Sequence, residues 1–368
     1  MKAATLNKFL SIFLLPVLNI LTAFIFTTLL FLVIGIDPWE AAKILVQGAF
    51  GYEEGIGYTL YYTTNFIFTG LAVAIAFHAG LFNIGGEGQA YIGGLGVSLV
   101  ALGLGSFLPP IFLLPLAILA AAAFGAAWAA IPAYLQAYRG SHIVITTIMF
   151  NFLAASLMVY LLVNVFSEAG QGMPASRAFP DSASLWTWQA FMAQFGIEFA
   201  ASPLNISIIL ALICCVAVWV FLWKTRWGYE LRTVGANPEA AIYAGINPKR
   251  IIMLAMLISG ALAGFVAVNE LLGVQHRLVL GFNTGYGFAG IAVALMGRNH
   301  PVGVILASLL FGFLYQGGAE LSFEYGVDRN IVVVLQGLVI LFSGALEHMF
   351  KPKLESLYLK LSRTQETA

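Results

Sequence analysis

The sequence predicts an all-α, polytopic membrane protein, and three observations support this fold class. Hydrophobic residues make up 60% of the 368 residues, the mean hydropathy is +0.91, and only 9% of residues are charged. Apolar runs recur along the whole chain, and a bilayer core needs about 20 apolar residues for each spanning helix. Soluble domains do not have this composition, so the chain is expected to span a membrane repeatedly.

Ten apolar runs are predicted as spanning helices within one transmembrane domain, residues 1–368. The eighth run is short, because 12 helical residues extend only about 18 Å and need irregular backbone to complete a crossing. The possible arrangement is two inverted repeats of five helices. The ten predicted runs are Phe9–Ile36, Leu60–Phe77, Leu81–Leu104, Pro110–Ile131, Ile143–Val165, Leu204–Trp223, Ile251–Leu272, Gly285–Met296, Val302–Ala319 and Asn330–Leu346.

The distribution of basic residues predicts the orientation of these spans. With the N-terminus inside, only four of the 17 Lys and Arg residues fall outside, namely Lys43, Arg177, Arg277 and Arg329. This asymmetry obeys the positive-inside rule with an even number of spans and both termini in the cytoplasm. We therefore expect a multi-pass membrane protein. The net charge of zero argues against nucleic acid as a partner.

The third run opens with the stretch F-N-I-G-G-E-G-Q, from Phe82 to Gln89. Glu87 is the acidic residue predicted to lie deep in a span, where a charge costs roughly 3 kcal/mol on insertion scales. A functional or helix-packing role with a partner is therefore expected, and the alternative is that Glu87 reaches the inner interface. The neighbouring glycines allow the helix to break, which is tolerated where backbone lines a cavity or is buried in protein.

The spelling of this stretch recurs 200 residues later. Phe82, Asn83 and Gly85 correspond to Phe282, Asn283 and Gly285, and five spans separate the two sets. Such spacing is typical of an inverted repeat, in which the third and eighth spans would meet near the midplane as interrupted helices beside a translocation path. The alternative is a chance match in a chain rich in Gly and Phe.

The inner segment 224–250 is predicted to carry a short helix of its own. Asn237 has the residue type of an N-cap, Pro238 suits the first helical position, Glu239 lies in the first turn, and Gly245 follows the end. The predicted helix runs from Asn237 to Ala244. A capped connector with basic ends would have the same composition, so the role of this segment depends on its spelling.

Glu239, Ala240, Ala241 and Gly245 spell the E-A-A-x-x-x-G core of the loop by which permeases of ABC importers dock on their ATPases. The longer family pattern continues as I-x-L-P, from which Ile252 to Ala255 depart. Together with F-N-I-G-G-E-G-Q, I-T-T-I-M-F-N-F and L-R-T-V-G-A-N-P-E-A-A-I-Y-A-G-I-N, however, the chain resembles the inner-membrane permeases of nucleoside and simple-sugar ABC importers, a family that includes branched-chain amino acid and ribose-like permeases. The long outer loop 166–203 fits one subunit type of this group.

The resemblance implies several partners. The chain has no G-x-x-x-x-G-K-[ST] loop and no Gly-Lys dipeptide, so ATP would be bound and hydrolysed by a separate cytoplasmic ABC ATPase. A second permease, expected to be a paralogue forming a heterodimer, and an extracytoplasmic substrate-binding protein would complete the importer in the lipid bilayer. No enzymatic activity, metal or cofactor is expected on this chain. Residues Asn237, Pro238, Glu239, Ala240, Ala241 and Gly245 would couple the permease to the ATPase.

The expected cargo is a nucleoside, with simple sugars such as ribose-like pentoses as the alternative. Hydrogen bonds to cargo would come from Asn83, Glu87, Gln89, Asn151 and Asn283, and Phe82 is a candidate for stacking. Each has an alternative role, since phenylalanines also face lipid and Asn151 could bond a neighbouring helix. A secondary transporter would be expected to show several intramembrane carboxylates or Na⁺ sites, whereas Glu87 was the only such carboxylate expected.

Overall fold

The structure is a computed structural model that describes residues 15–167, 172, 174–283, 285–326, 328, 333–334 and 337–338. The tenth predicted run, Asn330–Leu346, lies almost entirely outside these residues, and so do residues 9–14 of the first run. The basic residues Lys2, Lys8, Arg329, Lys351, Lys353, Lys360 and Arg363, which support the predicted orientation, also lie outside them.

Regular secondary structure in the described part of the chain is helical, and its β-type pairing is limited to isolated bridges. The helices before the outer loop are α1 (Leu15–Ile34), α2 (Pro38–Phe50), α3 (Glu53–His78), α4 (Gly86–Leu104), α5 (Pro110–Arg139) and α6 (Ile143–Asn164). The loop itself contains a 3-10 turn (Asp181–Ala183) and the short helix α7 (Trp188–Ala193). The helices that follow the loop are α8 (Ser207–Lys224), α9 (Arg226–Ala236), α10 (Pro238–Tyr243), α11 (Pro248–Gly264), a π-helix (Val268–Gln275), α12 (Tyr286–Met296) and α13 (Pro301–Tyr325).

Among the described residues, six helical segments are long and apolar enough to cross a membrane: Glu53–His78, Pro110–Arg139, Ile143–Asn164, Ser207–Lys224, Pro248–Gln275 and Pro301–Tyr325. Shorter apolar helices cover Ile25–Ile34 and Tyr286–Met296. The all-α membrane fold is therefore confirmed, whereas ten spans and an inverted repeat stay predictions. The short eighth run is indeed a short helix, α12.

The described residues form two compact units, one made of those up to residue 51 and from residue 313 onward, and one made of those between residues 52 and 312. In the first, α2 begins after Asp37, whose carboxylate accepts hydrogen bonds from the backbone N–H of Trp39 at 2.8 Å and of Glu40 at 3.3 Å. This capped helix was not among the predicted elements. Its buried residues pack with those of α1 and α13 in a small core of Phe31, Ile36, Ala41, Leu45 and Leu321.

The second unit is held together by close helix crossings at small residues. A Cβ added to Gly93 of α4 would come 2.6 Å from Cα of Gly264 on α11, and one added to Gly260 would come 2.6 Å from Cβ of Ala129 on α5. Backbones this close are typical of membrane helices, which associate through van der Waals contact because lipid is as apolar as the side chains. Larger residues there would separate the helices that carry the candidate site.

The third predicted run is not helical from its start. Helix α3 ends at His78, and α4 begins only at Gly86, so residues 81–85 form an irregular segment. Its position agrees with the helix break that the glycines predict. Unwound backbone leaves N–H and C=O groups that need partners, so the side chains around this segment have to supply hydrogen bonds.

The described residues of the loop 166–203, which is predicted to lie outside, pack against the chain that precedes α12. The backbone N–H of Ser176 donates to the carbonyl of Leu278 at 2.8 Å, and that of Phe179 donates to the carbonyl of His276 at 2.7 Å. The hydroxyl of Ser184 lies 3.2 Å from Nδ1 of His276. Burial lowers the pKa of His276, while Asp181 acts in the opposite direction. The described part of the loop therefore covers the connection from the π-helix to α12.

Candidate functional site

The irregular segment before α4 is held by Asn151 of α6. The Asn151 side-chain oxygen accepts the N–H of Gly88 at 2.8 Å, and its amide donates to the carbonyl of Ile84 at 2.9 Å. One carboxamide thus satisfies a free N–H of the first turn of α4 and a carbonyl of the unwound backbone. This contact is the neighbouring-helix role that the sequence left open for Asn151, and both polar groups of its side chain are used in it.

Asn83 and Gln89 form a second set of contacts at the same helix start. The Asn83 amide donates to Gln89 Oε1 at 3.0 Å and to the Ser259 hydroxyl at 2.8 Å. The Asn83 oxygen accepts the N–H of Gly85 at 2.8 Å, and the Ser259 hydroxyl donates to the carbonyl of Ala72 at 2.6 Å. Both amide side chains are fully buried. In this conformation they connect α4 with α3 and α11.

Glu87 joins the start of α4 to the start of α12. Its two carboxylate oxygens accept the N–H of Gly285 and the N–H of Gly287, each at 2.8 Å. The Asn283 amide donates to the backbone carbonyl of Glu87 at 2.7 Å. A Cβ added to Gly86 would come 3.5 Å from Cα of Gly287, so the two backbones touch. The N-termini of two helices therefore meet at Glu87, which we call the α4–α12 junction.

The electrostatics of this junction explain the acidic residue. Each helix N-terminus carries partial positive charge and unpaired N–H groups, so two such ends in contact repel each other. A carboxylate between them offsets both charges and supplies the acceptors that α12 lacks. Gly285 occupies the N-cap position of α12 with φ of +87°, which a residue with a Cβ rarely adopts. The junction therefore depends on an acid in one helix and a glycine before the other.

Aromatic side chains flank the junction. Phe82 is half-buried and packs edge-on against Phe77, with ring centroids 5.2 Å apart. Phe282 lies 5.4 Å from the ring of Tyr91, whose hydroxyl accepts the N–H of Gly281. The structure thus brings Asn83, Glu87, Gln89, Asn151 and Asn283 together at one helix junction, with Phe82 at its edge. Whether these residues contact cargo stays a prediction.

A second buried acid, Glu270, corrects the expectation that Glu87 alone lies deep in a span. Glu270 is only 3% exposed and belongs to the π-helix that ends the spanning segment Pro248–Gln275. Its Oε1 accepts the Tyr61 hydroxyl at 2.6 Å and the Asn65 amide at 2.6 Å. Glu270 lies near the C-terminal end of an apolar run in the sequence. Hydropathy alone does not show that neighbouring helices enclose that end, so the burial of Glu270 was missed.

Further polar side chains surround Glu270. The Asn269 amide donates to the Asn65 side-chain oxygen at 2.9 Å, and the Asn269 oxygen accepts the Asn205 amide and the Ser207 hydroxyl, both at 2.8 Å. We call Tyr61, Asn65, Asn205, Ser207, Asn269 and Glu270 the Glu270 cluster. Tyr61 and Asn65 are four residues apart and therefore share one face of a helix, which is a sequence signal for a polar contact on that face. The sequence does not identify their partner, because Glu270 lies about 200 residues away.

The short helix predicted in segment 224–250 forms as α10. The Asn237 side chain accepts the N–H of Glu239 and of Ala240, each at 3.0 Å, Pro238 is the first helical residue, and Gly245 has φ of +76°. The preceding helix α9 was not predicted. Ala241, one of the residues expected to couple the permease to the ATPase, is 0% exposed and does not lie on the outward surface of α10.

The exposed residues of α10 include some that were not among those expected to couple the permease to the ATPase. Ala240 is exposed, and so are Ile242 and above all Tyr243, which is 94% exposed. The helical period turns Ala241 towards the rest of the chain while its neighbours face outward. The outward surface therefore combines one small residue with two large apolar ones.

Among the described residues, no group of three His, Cys, Asp or Glu side chains is placed to hold a metal ion.

Comparison with known proteins agrees with this helical architecture. The family model for the permease component of branched-chain amino acid transport systems matches residues 55–344. The guanosine ABC transporter permease protein of Bacillus subtilis is 39% identical over 91% of this chain and 94% of its own length. The glucose ABC transporter permease protein of Haloferax volcanii is 35% identical over 89% of this chain and 86% of its own.

A third relative is the nucleoside ABC transporter permease protein of Lactococcus lactis, which is 33% identical over 89% of this chain and 90% of its own length. No solved structure matches the chain. The family match covers the α4–α12 junction, the Glu270 cluster and helix α10. The chain belongs to the family of permease components of branched-chain amino acid transport systems.

Proposed function

We propose that this chain is a permease subunit of an ATP-driven importer and forms part of the translocation path for nucleosides. The observation that carries the proposal is its identity of 39% and 33%, over about nine tenths of the chain, to permeases described as guanosine and nucleoside transporters. Cargo reaches the path from an extracytoplasmic binding protein, so the path itself need not bind it tightly. The chain hydrolyses no ATP and relies on a partner ATPase for energy.

The α4–α12 junction is the proposed part of the path. Two interrupted helices whose ends meet inside a membrane protein are the arrangement that transporters use at their cargo sites. Asn83, Glu87, Gln89, Asn151 and Asn283 are bonded to one another and to backbone in this conformation. Their exchange of these bonds for cargo hydroxyls and base edges would couple passage of a nucleoside to separation of the two helix ends.

The proposed partners are an ABC ATPase, a second permease and a binding protein, assembled in the inner membrane with both termini of this chain in the cytoplasm. A heterodimer of paralogues is supported by two species that each have two related permeases with the same described cargo. These are guanosine permeases in Bacillus subtilis, at 39% and 28% identity, and nucleoside permeases in Lactococcus lactis, at 33% and 30%. The ATPase would dock on α10.

Simple sugars are the second candidate cargo, because the glucose permease of Haloferax volcanii is 35% identical over a similar length. Nucleosides and sugars share hydroxyl groups, which the amide and carboxylate groups at the junction can bond equally well. They differ in the base, whose flat ring offers stacking and edge hydrogen bonds. Competition between the two cargo classes therefore separates the two proposals.

The deciding experiment measures uptake of labelled guanosine, ribose and glucose by cells that express the chain with its partner subunits. ATP-dependent guanosine uptake that excess unlabelled nucleoside suppresses, and that excess sugar leaves unchanged, is expected. Uptake of a sugar alone would replace the nucleoside assignment with the second candidate. Uptake that continues with a hydrolysis-deficient ATPase subunit but stops with a protonophore would make the chain a secondary transporter.

A further inference from the structure

The first turn of α12 is held from two elements that are far apart in sequence. Glu87 of α4 binds its backbone through the N–H groups of Gly285 and Gly287. Tyr286, the residue between them, hydrogen-bonds through its side chain to Glu270 of the π-helix. Its ring also packs edge-on against Phe66 of α3, with ring centroids 5.5 Å apart. Consecutive residues at this helix start therefore contact two different acids, Glu87 and the buried Glu270.

The Glu270 carboxylate is anchored before it reaches α12. Tyr61 and Asn65 of α3 each donate a hydrogen bond of 2.6 Å to the carboxylate. The backbone around Glu270 is π-helical. A π-bulge rotates side chains away from the usual helical positions and occurs frequently at functional sites. Among the residues that the structure describes, neither Glu270 nor Glu87 forms an ion pair. The carboxylate thus relies on hydroxyl and amide donors, one of which belongs to α12.

Helix α12 also depends on α3 along its length. A Cβ added to Gly70 of α3 would come 2.7 Å from Cγ1 of Val293, and one added to Gly290 would come 2.5 Å from Cβ of Thr69. The helix is only 11 residues long and follows a connection with left-handed backbone at His276, Gly281 and Gly285. A short helix after such a connection has few positional restraints of its own, so its contacts with α3 and those at its first turn together decide where it lies.

We propose that Glu270 is a positioning residue, which holds Tyr286 and thereby sets the first turn of α12 against Glu87 at the α4–α12 junction. The inference rests on the proposed function in one respect only, namely that the junction lies on the translocation path. Separation of the junction during transport requires release of both acids, so Glu270 controls how often α12 leaves this position. It acts on the junction through Tyr286.

The experiment reports the position of α12 without cargo. Ala292, a buried residue of α12, is replaced by Cys in a background in which Cys214 and Cys215 are changed to Ala, and the rate of thiol labelling is measured. Labelling of a buried thiol requires local opening, so its rate follows the opening equilibrium. Tyr286→Phe keeps the ring and removes the hydroxyl that reaches Glu270. Labelling is expected to become about tenfold faster, because losing a hydrogen bond to a charged group shifts the opening equilibrium by about this factor or more.

Ser207→Ala is the matched control, because it removes one hydroxyl from the Glu270 cluster that bonds Asn269 and not α12. Its labelling rate should stay within about twofold of the parent, while Glu270→Gln should resemble Tyr286→Phe. Equal acceleration by Ser207→Ala and Tyr286→Phe would show that the cluster only stabilises the fold, and unchanged labelling in Tyr286→Phe and Glu270→Gln would overturn the proposal outright.

Transport supplies the second measurement. In Tyr286→Phe we expect the maximal rate of guanosine uptake to change several-fold while KM stays near that of the parent, because Tyr286 positions the helix and does not bind cargo. A change confined to KM would contradict a positioning role. If the parent protein fails to transport guanosine at all, the proposed function is wrong, and the labelling rates still decide the role of Glu270.

Discussion

Replacing Glu87 by Gln tests the α4–α12 junction most directly. The substitution keeps the shape of the side chain, but only one oxygen remains to accept a hydrogen bond, and the new NH₂ group faces the second N–H. One of the two 2.8 Å bonds from Gly285 and Gly287 is therefore lost, together with the negative charge at the start of α12. Other bonds of the junction, such as that from Asn283 to the Glu87 carbonyl, are unchanged.

The size of the effect follows from typical contributions of such interactions. A hydrogen bond to a charged group contributes about 1.5–3 kcal/mol, and a negative charge at a helix N-terminus contributes about 0.3–1 kcal/mol. Because Glu87 is partly exposed, we use the lower part of these ranges and expect a loss of about 2 kcal/mol. This energy corresponds to about a 30-fold change in the equilibrium between the closed and the separated junction.

The assay combines initial rates of uptake with thermal unfolding of the purified protein. Glu87→Gln should reduce uptake about tenfold or more while the protein still inserts and unfolds cooperatively. Glu87→Asp keeps the charge with a shorter reach and should retain more uptake. Glu54→Gln, the same chemical change at an exposed carboxylate, is the matched control and should transport normally. Normal uptake by both Glu87→Gln and Glu87→Ala would refute the reasoning.

Three further predictions concern orientation, coupling and pH. A Cys introduced at Phe195 of the outer loop should be labelled by an impermeant reagent from outside and one at Tyr243 only after permeabilisation; the opposite pattern would reverse the predicted topology. Gly245→Val should uncouple ATP hydrolysis from uptake, because a β-branched residue resists φ of +76°, and normal coupled transport would contradict the proposed role of α10. Burial lowers the pKa of His276, so the unfolded state binds a proton more readily than the folded state. The free energy of unfolding should therefore fall as the pH drops below about 6.5, the usual pKa of histidine. Thermal unfolding of His276→Gln should show a smaller decrease in stability over the same pH range.

Among the local features, the sequence predicts most reliably those that depend on neighbouring residues. Apolar runs locate the spanning helices because lipid requires every backbone group to be bonded within its own segment. The cap at Asn237 and the left-handed turn at Gly245 follow from local backbone chemistry, and both are present. The start of α4 at Gly86, after an irregular segment, follows from the cluster of glycines. The cap and the left-handed turn need no partner that is distant in sequence, whereas the irregular segment before α4 also depends on Asn151 of α6.

Contacts between distant segments were decided only by the tertiary structure. Glu87 meets amides about 200 residues further along the chain, and Glu270 is enclosed by side chains of α3 at a similar separation. Hydropathy averages over a window, so it cannot show that the outer end of an apolar run is buried by other helices. Ala241 is buried for the same reason, because packing against the rest of the chain determines its exposure. The sequence thus placed Glu87 and the small residues of the E-A-A-x-x-x-G core on particular helices. Three-dimensional packing determined the enclosure of Glu270 and which residues face one another, since burial and pairing are properties of the assembled helices.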